Sequence, residues 1–228
     1  MPRFDACPGR LKRRRAASIL LGEVHVKRLL LALLLLASAG ALFSQDGLYA
    51  PSVPEDAALV RIVNATSEPL EIDLGPLRYE VGSRSASAYR PLQPGIFVVA
   101  VGGERTVVEP PARAFLSLVV SPAGITVFTD ERHTDPARSQ LVVYNVGSQP
   151  LEFRALSPEA GLVPDVMPGA SGARVVNAIR VEVGAFLGDD PVATARLDLE
   201  RGESYALVVP ASGSGVPGFV VRASVSSE

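Results

Sequence analysis

Val63-Asn64-Ala65-Thr66-Ser67-Glu68-Pro69-Leu70-Glu71-Ile72 returns 81 positions later as Tyr144-Asn145-Val146-Gly147-Ser148-Gln149-Pro150-Leu151-Glu152-Phe153. Asn, Ser, Pro, Leu and Glu are identical at five aligned positions. Agreement at fixed spacing, in a matching apolar-turn-apolar context, points to duplication of a structural unit. The shared residues carry the chemistry of a turn: Asn tolerates the left-handed region and bonds its own backbone, Ser does so more weakly, and Pro presets φ. Each unit therefore opens with a strand, turns at Asn-x-x-Ser-x-Pro and re-enters as a second strand. The motif's role is structural. Asn64-Ala65-Thr66 also matches a glycosylation sequon, but the repeat already accounts for Asn64 as a turn residue.

Outward from the repeat, apolar residues from Ala57 onward come in short Val-rich runs, broken by Gly, Pro, Asn or Ser. This is an all-β pattern. Ile96-Phe97-Val98-Val99-Ala100-Val101, then Gly102-Gly103, then Glu104-Arg105-Thr106-Val107-Val108 predicts a hairpin, because the Gly pair supplies the positive φ angles of a tight turn. No long stretch of this body has helical spacing, and the prolines would interrupt one. A looser second echo pairs Phe115-Leu116-Ser117-Leu118-Val119-Val120 with Tyr205-Ala206-Leu207-Val208-Val209. The expected architecture is two tandem immunoglobulin-like β-sandwiches, 57–130 and 139–228, about seven strands each. The polar, Pro-containing stretch 131–138 is the linker between them.

Charge divides the chain more sharply than its overall formal charge of −2 suggests. Eight of the 22 basic residues but only Asp5 and Glu23 among the acids precede Asp46, which leaves 14 arginines, no lysine and 22 acids downstream, a net charge of −8. Nucleic-acid binding is excluded on sign, because its dominant electrostatic contribution requires a basic surface. The sole Cys, Cys7, also lies in the first piece, so thiol catalysis, disulfides and thiolate metal sites are excluded for the body.

The first piece, 1–45, reads as an export signal with an over-long n-region. Lys27-Arg28 precede LLLALLLLASAGALF at 29–43, a run closed by small residues and short for a membrane span. Cleavage is expected near 39–45, with initiation at Val24 or Val26 giving a conventional n-region. The body is then a periplasmic protein with an N-terminal arm, 46–56.

The body offers little catalytic chemistry. Its one histidine, His133, falls in the linker, and no Gly-x-Ser-x-Gly elbow occurs. The acidic pairs Glu55-Asp56, Asp130-Glu131 and Asp189-Asp190 read as solvated loops, and Gly188-Asp189-Asp190-Pro191 as a hairpin turn. No catalytic residue, metal site or cofactor is expected. Recognition chemistry rests on Arg78, Arg84 and Arg90, interleaved with Tyr79 and Tyr89, whose guanidinium forks suit carboxylates of a polymer or partner. Leu48-Tyr49-Ala50-Pro51 adds an apolar pair held extended by proline, an arm suited to lie on a partner.

Asp46-Gly47-Leu48-Tyr49-Ala50-Pro51, followed by Ala57-Ala58-Leu59-Val60-Arg61-Ile62-Val63-Asn64-Ala65, resembles the opening of the AlgF family of alginate biosynthesis proteins. Leu92-Gln93-Pro94-Gly95 before the hairpin and Leu199-Glu200-Arg201-Gly202-Glu203 before the last strands continue the resemblance over nearly the whole exported chain. It implies a periplasmic accessory protein for alginate O-acetylation, working beside periplasmic acetyltransferases and a membrane acyltransferase, and leaves open whether the alginate polymer, a partner enzyme or both contact it. The family has no established catalytic residues to carry over. The residues alone leave open a second reading, an exported carbohydrate-binding or cell-envelope binding module.

Overall fold

The computed structural model describes residues 54–225 apart from Ser212, Gly213 and Val216, so the signal segment, its cleavage site, Leu48, Tyr49 and most of the arm lie outside the described residues. The described chain is all-β and belongs to one compact unit, Val53–Glu228.

The first half contains β1 (Ala58–Asn64), β2 (Leu70–Leu74), β3 (Leu77–Val81), β4 (Ser85–Ala86), β5 (Arg90–Leu92), β6 (Phe97–Val101), β7 (Glu104–Val108), β8 (Phe115–Ser121) and β9 (Gly124–Asp130). The second contains β10 (Ser139–Asn145), β11 (Leu151–Ser157), β12 (Glu159–Val166), β13 (Ser171–Val176), β14 (Arg180–Leu187), β15 (Asp190–Asp198), β16 (Ser204–Val209) and β17 (Phe219–Arg222). The strand-free stretch 131–138 joins them.

Both halves are organised on the same central feature. In the first, β1 pairs in parallel with β8, in a sheet ordered β4-β1-β8-β9 with β5 also on β1; in the second, β10 pairs in parallel with β16, in the order β13-β10-β16-β17. The looser sequence echo is thus the pair of strands that lie beside the two openings of the repeat. This parallel pairing departs from the purely antiparallel sheets of an immunoglobulin domain. A parallel pair needs a long crossover, which the intervening hairpins supply.

Alternate residues of the central strands separate two faces. Ala58, Val60 and Ile62 of β1 and Leu116, Leu118 and Val120 of β8 pack with Ile72, Tyr79, Val99 and Val108 from the hairpins β2-β3 and β6-β7. Leu141 and Val143 of β10 and Tyr205, Leu207 and Val209 of β16 pack onto a second four-stranded sheet, β12-β11-β14-β15, around Phe153, Val183 and Ala185. The opposite faces meet each other. Val63, Ala65, Val119 and Phe128 form one buried cluster with Val142, Tyr144, Ala206, Val208 and Val221. Because both faces of these central strands are covered, their sequences run apolar without alternation. Backbone pairing ties the halves further: Tyr89 bridges Val225 in parallel and its amide donates to Ser224 O at 2.7 Å.

The turns follow local chemistry. Asn64 and Asn145 each end a central strand, and both are buried. Asn64 Nδ2 donates to the carbonyls of Glu68, Val81 and Gly82, while Oδ1 accepts from the Thr66 amide. Asn145 repeats the arrangement, donating to Gln149 and Val166 carbonyls and accepting from the Gly147 amide. One side chain thereby pins the turn to a later strand end. With its amide so committed, Asn64 is closed to glycosylation in the folded protein. The expected Gly-Gly hairpin forms between β6 and β7, with φ of 59° and 90° at Gly102 and Gly103.

Candidate functional site

Where the halves meet face to face, the parallel registers set Arg61 beside Ser117 on one side and Val142 beside Ala206 on the other. Arg61 is 2% exposed and sits amid apolar strands. A buried guanidinium requires hydrogen-bonded compensation. Its Nε donates to Ser117 Oγ at 2.7 Å and its Nη2 to the Tyr144 hydroxyl at 2.9 Å, across the junction. The Tyr89 ring lies 4.6 Å from its central carbon, within cation–π range.

The counter-charge is Asp130, at the end of β9. Its carboxylate accepts from Ser117 Oγ at 2.6 Å, from Tyr89 Oη at 2.7 Å and from Tyr144 Oη. Arginine and aspartate are therefore coupled through a layer of hydroxyls. Burial lowers the Arg61 pKa, while Tyr144, Tyr89 and Asp130 raise it by more, so the guanidinium ends above its ordinary value and stays charged. Burial pushes the Tyr144 phenol up to about 12 and Tyr89 up as well; both remain protonated donors near neutrality. One bond is missing. Arg61 Nη1 is buried without a partner.

This network lies against a cleft of about 720 Å³, lined by residues of both halves, including Leu59, Phe115 and Val142. The stretch 131–138 folds back along it: Gln140 Nε2 donates to Glu131 O at 3.1 Å, and Arg132 and His133 line the opening. His133 Nε2 meets Arg138 O at 2.9 Å. Since a carbonyl only accepts, Nε2 is the donor in this contact, which leaves the other ring nitrogen, Nδ1, uncommitted by it. That Nδ1 is buried and likewise unpartnered. Glu203 faces the cleft paired with Arg222, whose hydrogen bond holds its carboxyl below the usual range. No group of three or more metal-ligating side chains occurs among the described residues.

The sequence matches the family described as "Alginate O-acetyl transferase AlgF" over residues 31–206. This chain belongs to the AlgF family. An alginate biosynthesis protein AlgF of Pseudomonas putida is 31% identical over 192 residues, covering 82% of this chain and 89% of that protein. The Pseudomonas aeruginosa AlgF is 28% identical over 205 residues, covering 88% and 95%, and the Azotobacter vinelandii AlgF 26% over 165 residues, covering 71% and 76%. A solved structure of the C-terminal domain of AlgF from P. aeruginosa is 26% identical and covers 38% of this chain and 98% of that one, with a TM-score of 0.34.

Within this AlgF chain, the arginines anticipated for recognition lie elsewhere than the cleft. Arg78 is exposed on β3 and ion-paired to Glu71. Arg90 on β5 donates to Arg78 O at 2.8 Å and lies 5.4 Å from the Tyr79 ring centre, so these two come together. Arg84 is exposed on the turn between β3 and β4, at φ 49°. Tyr79 and Tyr89 are buried: the Tyr79 ring lies under Arg90, whereas the Tyr89 ring lies beside Arg61 instead of Arg78, Arg84 or Arg90. One reading needs correction. Asp130 is no solvated-loop carboxylate, because three hydroxyls converge on it. The stretch 131–138 joins the halves, and its first residues, Glu131, Arg132 and His133, also line the cleft. Arg61 was missed altogether, although a lone arginine inside Leu59-Val60-Arg61-Ile62-Val63, facing Ser117 within an apolar run, is a legible sign of a buried polar pair.

Proposed function

We propose that this protein acts in alginate biosynthesis as a non-catalytic periplasmic accessory factor for O-acetylation, binding periplasmic acetyltransferases and the membrane acyltransferase assembly. Membership of the AlgF family supports the pathway. The family description speaks of a transferase. One observation carries the non-catalytic reading: the hydroxyls of Ser117, Tyr89 and Tyr144 donate to Asp130, that of Ser204 donates to Gln140 Oε1, and His133 Nε2 is committed to a backbone carbonyl. Acyl transfer by a serine requires a hydroxyl hydrogen-bonded to a base that is itself oriented by a third group; Ser117 instead donates to a carboxylate while receiving Arg61. Surfaces for partners are available. Arg78 and Arg90 present charge, and Val98 opposite Val107, with Ile96 71% exposed beside them, presents an apolar strip on β6-β7.

Purified protein is expected to show no acetyl-esterase or acetyltransferase activity, and His133→Ala to leave polymer acetylation in cells unchanged. Loss of acetylation in that variant at normal protein level overturns the non-catalytic reading. For the adaptor role, Arg84→Glu with Arg90→Glu, and separately Leu48→Ala with Tyr49→Ala, are expected to weaken co-purification with the acetyltransferases at unchanged melting temperature. The alternative of a carbohydrate-binding module draws on the cleft, whose volume suits a small ligand. The downstream charge of −8 opposes it for a polyanion.

A further inference from the structure

We propose that the cleft between the halves receives a single carboxylate of a protein partner, an acidic side chain or chain end, with Arg61 Nη1 as its recognition donor. This rests on the adaptor reading and names the chemistry by which a partner is held.

Arg61 is built for such a contact. Its Nε and Nη2 are spent on Ser117 and Tyr144, which fix the guanidinium plane, and Nη1 remains a charged donor with no acceptor. A buried cationic N–H is satisfied best by an anionic oxygen, and a guanidinium held in place loses little freedom on binding one. The second unpartnered atom, Nδ1 of His133, lies on the part of the wall made by 131–133 and offers the same ligand a second polar contact. Leu59, Phe115 and Val142 supply apolar walls around these two polar points, the composition expected of a site that orients a ligand by a few polar groups.

Charge selects the kind of carboxylate. The cleft holds three arginines, Arg61, Arg132 and Arg222, against Asp130, Glu131 and Glu203, so it has no excess positive charge. A polyuronate, carrying a carboxylate on every sugar, would bring neighbouring charges against Glu131 and Glu203 for each one neutralised by Arg61. A peptide presents one carboxylate among neutral groups and avoids that repulsion. Arg61 at 2% exposure is also reached by an inserted side chain or chain end more readily than by a polymer running across.

The test uses the full chain, 15N-labelled, titrated with N-acetyl-glutamate amide, its neutral glutamine counterpart, sodium acetate and mannuronate oligomers. The glutamate probe is expected to give saturable shifts of the amides of Gln140, Val142 and Ser204, with the glutamine probe at least tenfold weaker. Arg61→Lys, and independently Arg132→Glu at the rim, should each weaken the glutamate probe several-fold. Equal response to both peptide probes, no saturable shift from any of them, or tighter binding of mannuronate oligomers than of the peptide overturns the proposal. Co-purification with the acetyltransferases is read in parallel. If wild type and Arg61→Lys co-purify equally, the carboxylate site fails while the adaptor reading stands. If wild type does not co-purify, the adaptor reading fails and the titration still decides the site.

Discussion

The two copies of the repeat put different chemistry at equivalent places. Offset by 81 residues, Arg61 corresponds to Val142, and their parallel neighbours are Ser117 and Ala206. Both pairs occupy the face where the halves meet, yet one is a hydrogen-bonded charge and the other is hydrocarbon. A duplicated backbone that paired two identical faces would have buried either two arginines against each other or none. Here one copy supplies the cation and anion, Arg61 and Asp130, and the other supplies Tyr144, the phenol between them. Specialisation of one copy turns the junction into a polar cleft.

The most drastic way to break this comparison is to separate the halves. Each has its own core, so we propose that 57–130 and 139–228 expressed alone both retain β-type, dispersed NMR spectra. Each also exposes its share of the common cluster, and both should melt well below the intact protein and bind a hydrophobic dye. Two unfolded pieces would mean that the junction is required for either half to fold.

Next comes the charge. Asp130→Asn leaves Arg61 buried without its counter-ion and should cost about 3–5 kcal/mol, measured by denaturant unfolding. Rewriting the first copy after the second, Arg61→Val with Ser117→Ala, should cost clearly less, because hydrocarbon in place of a buried ion is often tolerated. A rewrite as damaging as Asp130→Asn would show that the junction depends on the arginine for stability.

A smaller effect tests what the copies share. Asn64→Ala and Asn145→Ala each orphan buried carbonyls at the same turn and should each cost about 1–3 kcal/mol. Similar losses would establish the motif as a common structural device; a silent Asn64→Ala would contradict its role in the fold.

High pH separates the copies more gently. Tyr144 and Tyr79 have folded-state pKa values raised to about 12, from an ordinary value near 10, chiefly by burial. The folded state therefore holds its phenol protons more tightly than the unfolded one. Their contribution is fully present below pH 10 and is lost as pH rises from 10 through 12. Melting temperature should fall over that window, and Tyr144→Phe should flatten part of the fall. The smallest effect is expected at the surface: Arg180→Ala breaks an exposed pair with Asp198 and should leave the melting temperature unchanged within error.

Much of the fold was legible because turns are local. Gly102-Gly103 and the two Asn-x-x-Ser-x-Pro segments each dictate their own backbone, and each appears where the sequence puts it. The strand pairing was not legible in the same way. Leu59-Val60-Arg61-Ile62-Val63 and Leu141-Val142-Val143-Tyr144 have no alternation from which to assign an inner face, because both faces are covered, and nothing local shows that β1 lies parallel to β8. For the site, composition excluded thiol chemistry from the body, but the cleft is made of residues brought together from both halves. Asp130 was adjacent to a polar stretch and so looked solvated, and His133 looked remote because the return of 131–138 over the junction is decided by tertiary packing.

The parallel pairs impose an order on how the molecule is made. Of the described strands β1 comes first along the chain, yet its lasting neighbour β8 follows only after two intervening hairpins, β2-β3 and β6-β7, and β10 waits similarly for β16. Contacts so distant along the chain close slowly, and domains made vectorially tend to settle from the amino end. Folding in that order would bring Arg61, Ser117 and Asp130 together while one side of their sheet still faces water, where a guanidinium is well hydrated. Arrival of the later half would then set Tyr144 across Arg61 and Asp130. On that route the arginine is enclosed after its anion is in place, and no bare cation has to be driven into hydrocarbon.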